Sequence, residues 1–306
     1  IGNNRCYGVD MNPSTSNKND KDSCEGVCSS CAEKKSCDDP RAQQVETESR
    51  MKRIKHKIVI ASGKGGVGKS TVTVNLAAAL RSLGYKVGIL DGDITGPDIP
   101  KLLGIEDQKL VAGPSGLEPA DAGGIKAISM ALLLKSRDSP VVWRGPMKMA
   151  ALKQFIEEVN WGELDFLLVD LPPGTSDEPI SIAQLIPGLD GAIVVTTPQE
   201  VALLDSRKAV NMFLMMNVPM LGIVENMSGL ICPHCGQRIE VFKTGGGEEA
   251  ARELGVPFLG AIPLDTEIGS LGDMGKTFAN SKTAAAKAFE EIVKSILDRL
   301  EAQQAK

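Results

Sequence analysis

The stretch IVIASGKGGVGKST, residues 58–71, decides the fold of this 306-residue chain. Its first five residues form a mostly apolar run that predicts a buried β-strand. A glycine-rich turn follows, and residues 71–84 have the composition of a helix. A strand, a glycine-rich turn and a helix in this order are typical of a phosphate-binding loop, because the turn's N–H groups and the helix N-terminus attract phosphate. The sequence therefore predicts a nucleotide site at this turn.

Two lysines of the loop have different expected roles. Lys69 is expected to reach the β- and γ-phosphates, while the Ser70 hydroxyl ligates Mg²⁺. Lys64 comes too early to hold the same phosphate, so it either acts in trans on a nucleotide held by a second copy or is a solvated surface lysine. The loop residues predicted to bind the nucleotide are Gly63, Lys64, Gly65, Gly66, Val67, Gly68, Lys69, Ser70 and Thr71.

Apolar strand-like runs alternate with helical stretches from about residue 57 onward. Because each run is almost continuously apolar, the sheet should be covered by helices on both faces. The predicted fold is α/β, with a doubly wound, mostly parallel sheet. The seven predicted strands are IVIAS (58–62), KVGILD (86–91), IKAIS (125–129), FLLVD (166–170), GAIVVTT (191–197), LGIVEN (221–226) and PFLGAIP (257–263).

Acidic residues end two of these strands. Asp91 and Asp93 follow one strand and Asp170 ends another. The carboxyl ends of parallel strands open into the same crevice, where a carboxylate can hold Mg²⁺ or orient an attacking water. An aspartate at such a position is also a common helix cap. The phosphate loop favours the functional interpretation, with Ser70, Asp93 and Asp170 at Mg²⁺ and with Lys64, Lys69 and Asp93 as catalytic residues.

Composition and charge favour a cytoplasmic protein that binds neither nucleic acid nor membrane. The net charge of −5 and the pI near 5.3 disfavour a nucleic-acid partner, which requires a basic surface. Residues 1–20 are polar and lack the apolar core of a signal peptide. The C-terminal run AFEEIVKSILDRLEAQQAK, residues 288–306, has a polar face of mixed charge, which favours a helix docked on the core over a membrane-binding helix.

The cysteines divide the chain into two parts. Residues 1–55 are polar and cysteine-rich and predict an irregular extension, whereas residues 56–306 predict the nucleotide-binding domain. Five of the seven cysteines lie in the extension. We expect metal or cluster ligation there, because the segment has too little apolar content to fold without it. These cysteines are Cys24, Cys28, Cys31 and Cys37, with Cys6 further upstream.

The remaining pair is Cys232-Pro-His-Cys235, a tight CxxC motif. It supplies two thiolates, which is half of a tetrahedral site, so two copies of the chain would supply four. From the residues alone, zinc, an iron–sulfur cluster and a redox pair all remain open.

Two levels of family resemblance follow from these motifs. GKGGVGKST resembles the deviant phosphate loop of the MinD, ParA and nitrogenase iron-protein ATPases, whose extra lysine works across a nucleotide-sandwich dimer. Within that class, roughly residues 55–300 resemble the Mrp/ApbC-type iron–sulfur cluster carriers. The strings that carry this second resemblance are DGDITGPDIPKLLG (91–104), WRGPM (143–147), DLPPGTSDEP (170–179), TTPQEVAL (196–203), VENMSGLICPHCG (224–236) and TGGGEEAARELGVPFLGAIPLD (244–265).

The resemblance implies an ATP-dependent scaffold or carrier that binds a [4Fe–4S] cluster and passes it to apoproteins. It implies a homodimer in which Cys232 and Cys235 bridge the cluster, and it leaves open a related hetero-partner. It also implies that Asn226 recognises adenine and that Asp93 lies in a first switch. The segment 170–177 would be a second switch that senses the γ-phosphate.

The N-terminal cysteines resemble the cluster site of the longer, scaffold-type members, with one departure. Those members are expected to have a cysteine with 13 residues between it and the CxxC pair, at the position where this chain has Ser14. The fourth ligand is then Cys24 or Cys6, and Cys24 is favoured because it closes a shorter loop.

Two other classes compete with the carrier. A MinD/ParA-like positioning ATPase with a structural zinc knuckle would share the loop, but it would not need six clustered thiols. A nitrogenase-reductase-like electron donor would bridge its cluster with cysteines far apart in sequence. The arrangement of the cysteines favours the carrier over both.

Overall fold

A sheet with helices on both faces forms the centre of the protein. The computed structural model describes residues 47–305, except residues 114, 115, 135, 137, 138, 140, 233, 279, 280 and 282. The strands are β1 (Ile54–Ser62), β2 (Val87–Asp91), β3 (Val111–Gly113), β4 (Gly116–Glu118), β5 (Ala120–Ala122), β6 (Ile125–Ile128), β7 (Leu164–Asp170), β8 (Gly191–Thr196), β9 (Met220–Glu225), β10 (Leu230–Ile231), β11 (Arg238–Ile239) and β12 (Phe258–Ala261). The helices are α1 (Lys69–Ser82), α2 (Ile99–Leu103), α3 (Gly145–Glu158), α4 (Asp177–Leu185), α5 (Glu200–Met215), α6 (Gly246–Leu254), α7 (Thr266–Asp273) and α8 (Ala284–Gln304).

Eight of these strands form the main sheet, in the order β12-β9-β8-β1-β7-β2-β6-β5. The pairs along it are parallel, except for β5, which runs antiparallel to β6 at one edge. All seven predicted strands are present, and the predicted mostly parallel sheet is confirmed. β1 lies in the interior of the sheet and pairs Ile60 with Asp170, so the phosphate loop and the end of β7 meet at one edge.

Side chains of β1 alternate between two separate apolar cores, as the period of a strand requires. Ile58 and Ile60 pack into one core with α1, α2 and α8. Val59 and Ala61 face the other core, which α3, α4, α5 and α6 cover. The two cores lie on opposite faces of the sheet, which confirms the doubly wound arrangement.

Helix α8 packs on the first of these cores. Thr283 caps its N-terminus by accepting a hydrogen bond from the Ala286 N–H. Its apolar face is buried, which confirms the docked helix predicted from the sequence. The buried apolar residues of α8 are Ala285, Ala286, Phe289, Ile292, Val293, Ile296 and Leu300, with Leu297 half-buried beside them. Within the described part of the chain, no helix has the length and apolarity needed to cross a membrane.

The short strands were not predicted. β3 and β4 form one small antiparallel hairpin, and β10 and β11 form another. Each has two or three residues, and most of these residues are half-buried or exposed. Strands this short cannot show an apolar run or an alternation. Whether they pair depends on contacts made elsewhere in the chain.

Packed structure extends to the N-terminal side of β1. Residues 47–51 are helical, and Met51 is 2% exposed in the second core, beside Ile54, the first residue of β1. The predicted extension of residues 1–55 lies mostly outside the described residues, so its division from the nucleotide-binding domain remains a prediction.

Lys57 of β1 is a buried cation. The residue is 7% exposed, and its ammonium donates a hydrogen bond to the Ile54 carbonyl at 3.1 Å. Burial lowers the pKa of Lys57 below the ordinary 10.5, and the nearby Asp190 carboxylate opposes part of that shift. Between the lowered pKa and 10.5 the unfolded chain binds more protons than the folded chain, so this group makes stability rise with pH in that window.

We therefore expect Lys57→Met to remove this rise. The free energy of unfolding, measured in denaturant from about pH 7 to about pH 10, should increase with pH more steeply for the wild type than for the variant. Lys55→Met is the matched control. Lys55 is exposed, and its hydrogen bond to Asp165 raises its pKa above 10.5. The folded chain therefore keeps this lysine charged through the measured pH range, so Lys55→Met should keep the wild-type rise in stability with pH. An unchanged slope in Lys57→Met would contradict the prediction.

Candidate nucleotide and cysteine site

The phosphate loop joins β1 to α1 through two glycines in the left-handed region. Gly66 has φ 80° and Gly68 has φ 82°, a conformation that favours glycine. Gly68 precedes the first turn of α1, and its carbonyl accepts the Val72 N–H at 2.9 Å. The turn therefore presents its backbone N–H groups next to the positive end of a 14-residue helix.

The loop glycines serve two different purposes. A Cβ on Gly63 would overlap the backbone carbonyl of Asp205 in α5, and a Cβ on Gly68 would overlap the Asn226 side-chain amide. Beside Gly65 and Gly66 the space is open. Gly63 and Gly68 allow the loop to pack closely on Asp205 and Asn226. Gly65 and Gly66 border the open space in which a phosphate would lie.

The buried carboxylate of Asp170 receives three hydrogen bonds from α1. Its Oδ2 accepts from the Lys69 ammonium at 2.6 Å and from the Ser70 hydroxyl at 2.7 Å. Its Oδ1 accepts from the Thr73 hydroxyl at 2.7 Å. The structure thus brings together three residues that the sequence assigned to one site. Thr73 was missed, although its spacing from Lys69 and Ser70 places it on the same face of the helix.

Other acids surround this ion pair. Asp91 lies beside Asp170 in the register of β2 and β7, and accepts from the Ser129 hydroxyl at 2.8 Å. Burial, reinforced by the charge of Asp170, raises the pKa of Asp91 well above its ordinary 3.8. Burial also raises the pKa of Asp93, against a hydrogen bond from the Gly96 N–H and the charge of Lys69. The charge of Lys69 opposes part of the rise in the pKa of both Asp91 and Asp93.

Lys148 of α3 joins Thr95, which is near the predicted first switch, to Glu178, which directly follows the predicted second switch of residues 170–177. Its ammonium donates to the Thr95 hydroxyl at 2.9 Å and to the Glu178 carboxylate at 3.0 Å. Thr95 follows Asp93, and Glu178 lies in the first turn of α4. No local pattern predicts this contact, because the partners are 53 and 30 residues away.

Lys64 stands apart from the Asp170 ion pair. Its carbonyl accepts the Ser62 hydroxyl at 2.9 Å, which fixes the start of the loop. Among the described residues, no hydrogen bond or ion pair engages its half-buried side chain. The action of Lys64 in trans remains a prediction.

Asn226 follows β9 and packs directly on the loop. Its side-chain amide donates to the Val67 carbonyl at 2.9 Å, and its backbone N–H donates to the Thr196 carbonyl at 2.8 Å. The side chain therefore lies against the phosphate loop, and its role in adenine recognition remains a prediction.

Cys232 and Cys235 lie in the turn between β10 and β11. The Cys232 N–H donates to the Gln237 carbonyl, and the Gly236 N–H donates to the Cys232 carbonyl, each at 2.9 Å. Both thiols are free, and Cys235 is exposed. A hydrogen bond from the Cys235 backbone N–H, followed by one from His234, lowers the pKa of the Cys232 thiol. Such a turn favours the thiolate, which is the form that binds metal.

The described residues contain no group of three or more histidine, cysteine or acidic side chains arranged to hold a metal ion. The predicted N-terminal ligands fall outside the described residues and remain predictions; they are Cys6, Cys24, Cys28, Cys31 and Cys37.

Comparison with known proteins places this chain in a family. Residues 53–297 match the ParA family model described as NUBPL iron-transfer P-loop NTPase. The chain is 50% identical over 286 residues to an iron–sulfur cluster carrier protein of Methanocaldococcus jannaschii, with 92% of this chain and 99% of that protein covered. It is 45% identical over 256 residues to the cytosolic Fe-S cluster assembly factor CFD1 of Saccharomyces cerevisiae, with 79% and 87% covered.

A solved structure supports the same assignment. The nucleotide-binding protein of Archaeoglobus fulgidus, in complex with ADP, superimposes with a TM-score of 0.71 and 39% sequence identity. The match covers 80% of this chain and 96% of that chain.

A pair of glycine substitutions tests the packing of the loop. Gly63→Ala should destabilise the protein, because the new Cβ would overlap the Asp205 backbone, which cannot move aside as a side chain can. Overpacking of this kind typically costs about 1–3 kcal/mol. Gly65→Ala is the matched control, because a Cβ there meets open space and should leave stability unchanged. Thermal unfolding of both variants is the measurement, and equal melting temperatures would refute the assigned contact.

Proposed function

The chain belongs to the NUBPL iron-transfer P-loop NTPase family, and we propose that it is an ATPase that binds [4Fe–4S] clusters and transfers them to apoproteins. The observation that carries this proposal is the placement of the paired thiols. Cys232 and Cys235 lie in the connection that follows β9, which begins with Asn226 in contact with the phosphate loop. The nucleotide loop and the cysteine turn are therefore linked by the short segment between Asn226 and Cys232. The names of the related carrier and assembly proteins support the same conclusion.

The loop fits the phosphates of ATP. The open space beside Gly65 and Gly66 is bordered by backbone donors, and Lys69 supplies the positive charge. Ser70, Asp93 and Asp170 supply the hard oxygen ligands that Mg²⁺ prefers. Mg²⁺, when bound there, would neutralise charge on the β- and γ-phosphate oxygens.

Lys69 would change partners when the nucleotide binds. In the structure its ammonium is bonded to Asp170, which keeps a buried carboxylate compensated. A phosphate in the loop would draw the ammonium away and leave Asp170 and Ser70 available to the metal. Thr73, which stays bonded to Asp170 Oδ1, would hold the carboxylate in place during this exchange.

Lys64 would complete the active site of a second copy. A lysine that reaches the partner's phosphates would stabilise the charge of the transition state, as an arginine finger does. Hydrolysis, with water as the nucleophile and Asp93 to orient it, would then require the nucleotide-sandwich homodimer. Dimerisation would also bring two CxxC turns together, and the four thiolates would hold one [4Fe–4S] cluster as cargo.

The N-terminal cysteines would hold a second cluster in each chain, through Cys28, Cys31, Cys37 and either Cys24 or Cys6. The acceptors would be apoproteins, and a related protein would be an alternative partner in place of the second copy. A cytoplasmic location is supported by the name of the yeast relative, and the net charge of −5 argues against a nucleic-acid partner.

Anaerobic reconstitution with iron and sulfide tests the cargo. We expect about twelve irons per wild-type dimer and about eight in Cys232→Ser/Cys235→Ser, because one bridging and two N-terminal clusters hold four irons each. His234→Ala is the control, since it alters the same turn without removing a thiol, and it should keep the wild-type iron content.

Exchange-resistant zinc at Cys232 and Cys235, without a labile cluster, would contradict the carrier. That outcome would instead favour a positioning ATPase of the MinD/ParA kind, in which the turn between β10 and β11 is a structural zinc knuckle.

A complementation experiment tests Lys64. Lys64→Ala and Lys69→Ala should each be inactive alone. If Lys64 acts in trans, a heterodimer of the two variants contains one complete site. With random assortment, the equimolar mixture should then regain about a quarter of wild-type ATP hydrolysis. If Lys64 acts in its own chain, no complete site forms and the mixture stays inactive, which would refute the action in trans. Lys208→Ala, an exposed lysine paired with Asp205 near the loop, should keep wild-type activity.

A further inference from the structure

Glu225, the last residue of β9, is a fully buried carboxylate with no part in the chemistry described so far. It accepts hydrogen bonds from the Ser228 hydroxyl at 2.6 Å and from the backbone N–H groups of Gly245 at 3.0 Å and Gly247 at 2.6 Å. Ser228 begins residues 228–245, the segment that carries both cysteines of the CxxC motif, while Gly245 ends this segment and Gly247 lies just beyond it. One carboxylate therefore joins the two ends of this cysteine segment.

The surroundings of Glu225 suit a negative charge. Gly245 and Gly247 lie at the N-terminus of α6, where the helix dipole and the unpaired N–H groups favour an anion. A Cβ on Gly247 would lie 2.9 Å from the Glu225 Cβ, so a glycine is needed for the carboxylate to approach. The glycine at position 247 in the first turn of α6 thus has a physical reason that the sequence does not reveal.

The residue that follows Glu225 in the sequence contacts the nucleotide loop. The next residue, Asn226, donates to the Val67 carbonyl of the loop. The backbone between the two side chains is held by both neighbouring strands, because the Ile262 N–H donates to the Glu225 carbonyl and the Asn226 N–H donates to the Thr196 carbonyl. Two adjacent side chains therefore contact the nucleotide loop and the base of the cysteine segment.

A simple helix cap does not account for this arrangement. A cap for α6 would need the Gly245 and Gly247 bonds alone, whereas the Ser228 hydroxyl ties the opposite end of the segment to the same Oε1 atom that accepts from Gly245. Arg238 reinforces that end by donating to the Ser228 carbonyl at 3.2 Å. The bonds are distributed as expected of a residue that fixes the segment as a unit.

We propose that Glu225 is a positioning residue that couples the nucleotide loop to the cysteine segment. If a bound nucleotide engages the Asn226 side chain, as predicted, a shift of Asn226 reaches Glu225 through one peptide unit. The carboxylate passes it to Ser228 and α6 together, which changes how the two thiols are held. This inference rests on the proposed function and names the route by which ATP regulates the cluster site.

Hydrogen–deuterium exchange on the 306-residue chain, prepared without an iron–sulfur cluster, tests the coupling. Amide exchange in residues 228–245 is compared with and without Mg²⁺ and a non-hydrolysable ATP analogue. The wild type should show a nucleotide-dependent change in the exchange rate of this segment. In Glu225→Gln this change should be at least about fivefold smaller, because fivefold is the lower end of typical couplings between sites. Glutamine keeps the shape but places an NH₂ donor against one of the N–H donors. Glu240→Gln, an exposed isosteric change in the same segment, should keep the wild-type response.

Two results would overturn the proposal. The first is faster exchange in Glu225→Gln with the nucleotide response unchanged, because that would indicate a structural role only. The second is the absence of any response in the wild-type segment. If Glu225→Gln does not fold, Ser228→Ala decides the matter, because it removes one bond and leaves both contacts with α6. It should weaken the response, and a full wild-type response would refute the coupling. Since this readout needs no cluster, it can fail while the iron measurement succeeds, and the reverse also holds.

Discussion

The buried carboxylate of Asp170 is the contact on which the rest of the site depends. It lies at the end of β7, next to the central strand β1, and it gathers the ammonium of Lys69 and the hydroxyls of Ser70 and Thr73. Removing one member of such a buried pair leaves an uncompensated charge, which costs more than the pair contributes. The orientation of α1 relative to the sheet, and with it the shape of the phosphate loop, therefore depends on these bonds staying satisfied.

The site lies where the topology brings different parts of the chain together. In a parallel sheet the carboxyl ends of the strands share one edge, so residues distant in sequence meet without long connections. Here β1 contributes the loop, β2 and β7 contribute the acids, and β9 leads into Asn226 and the cysteine turn. In the proposed carrier, ATP hydrolysis would affect the cysteine turn through the residues that meet at this edge.

The sequence predicts those features that repeat locally and misses those that depend on distant partners. The seven long strands and the docked C-terminal helix were predicted, because apolar runs and amphipathic spacing are local signals. Lys69, Ser70 and Asp170 were assigned to one site from a motif and a strand end. Strands such as β10 and β11 were missed because they are too short for a pattern. Ser129 and Glu225 were missed because only the fold shows which buried groups they contact.

The two hydrogen bonds of Lys148 limit how the segments that contain Thr95 and Glu178 can move. Its ammonium, with a side chain only 16% exposed, is shared between Thr95 and Glu178, which belong to different segments. If either segment leaves, the other must hold a poorly solvated charge with fewer partners, which is unfavourable. If the predicted switches move, the segments that contain Thr95 and Glu178 should therefore move in one concerted transition. Intermediates with a single displaced segment should be sparsely populated.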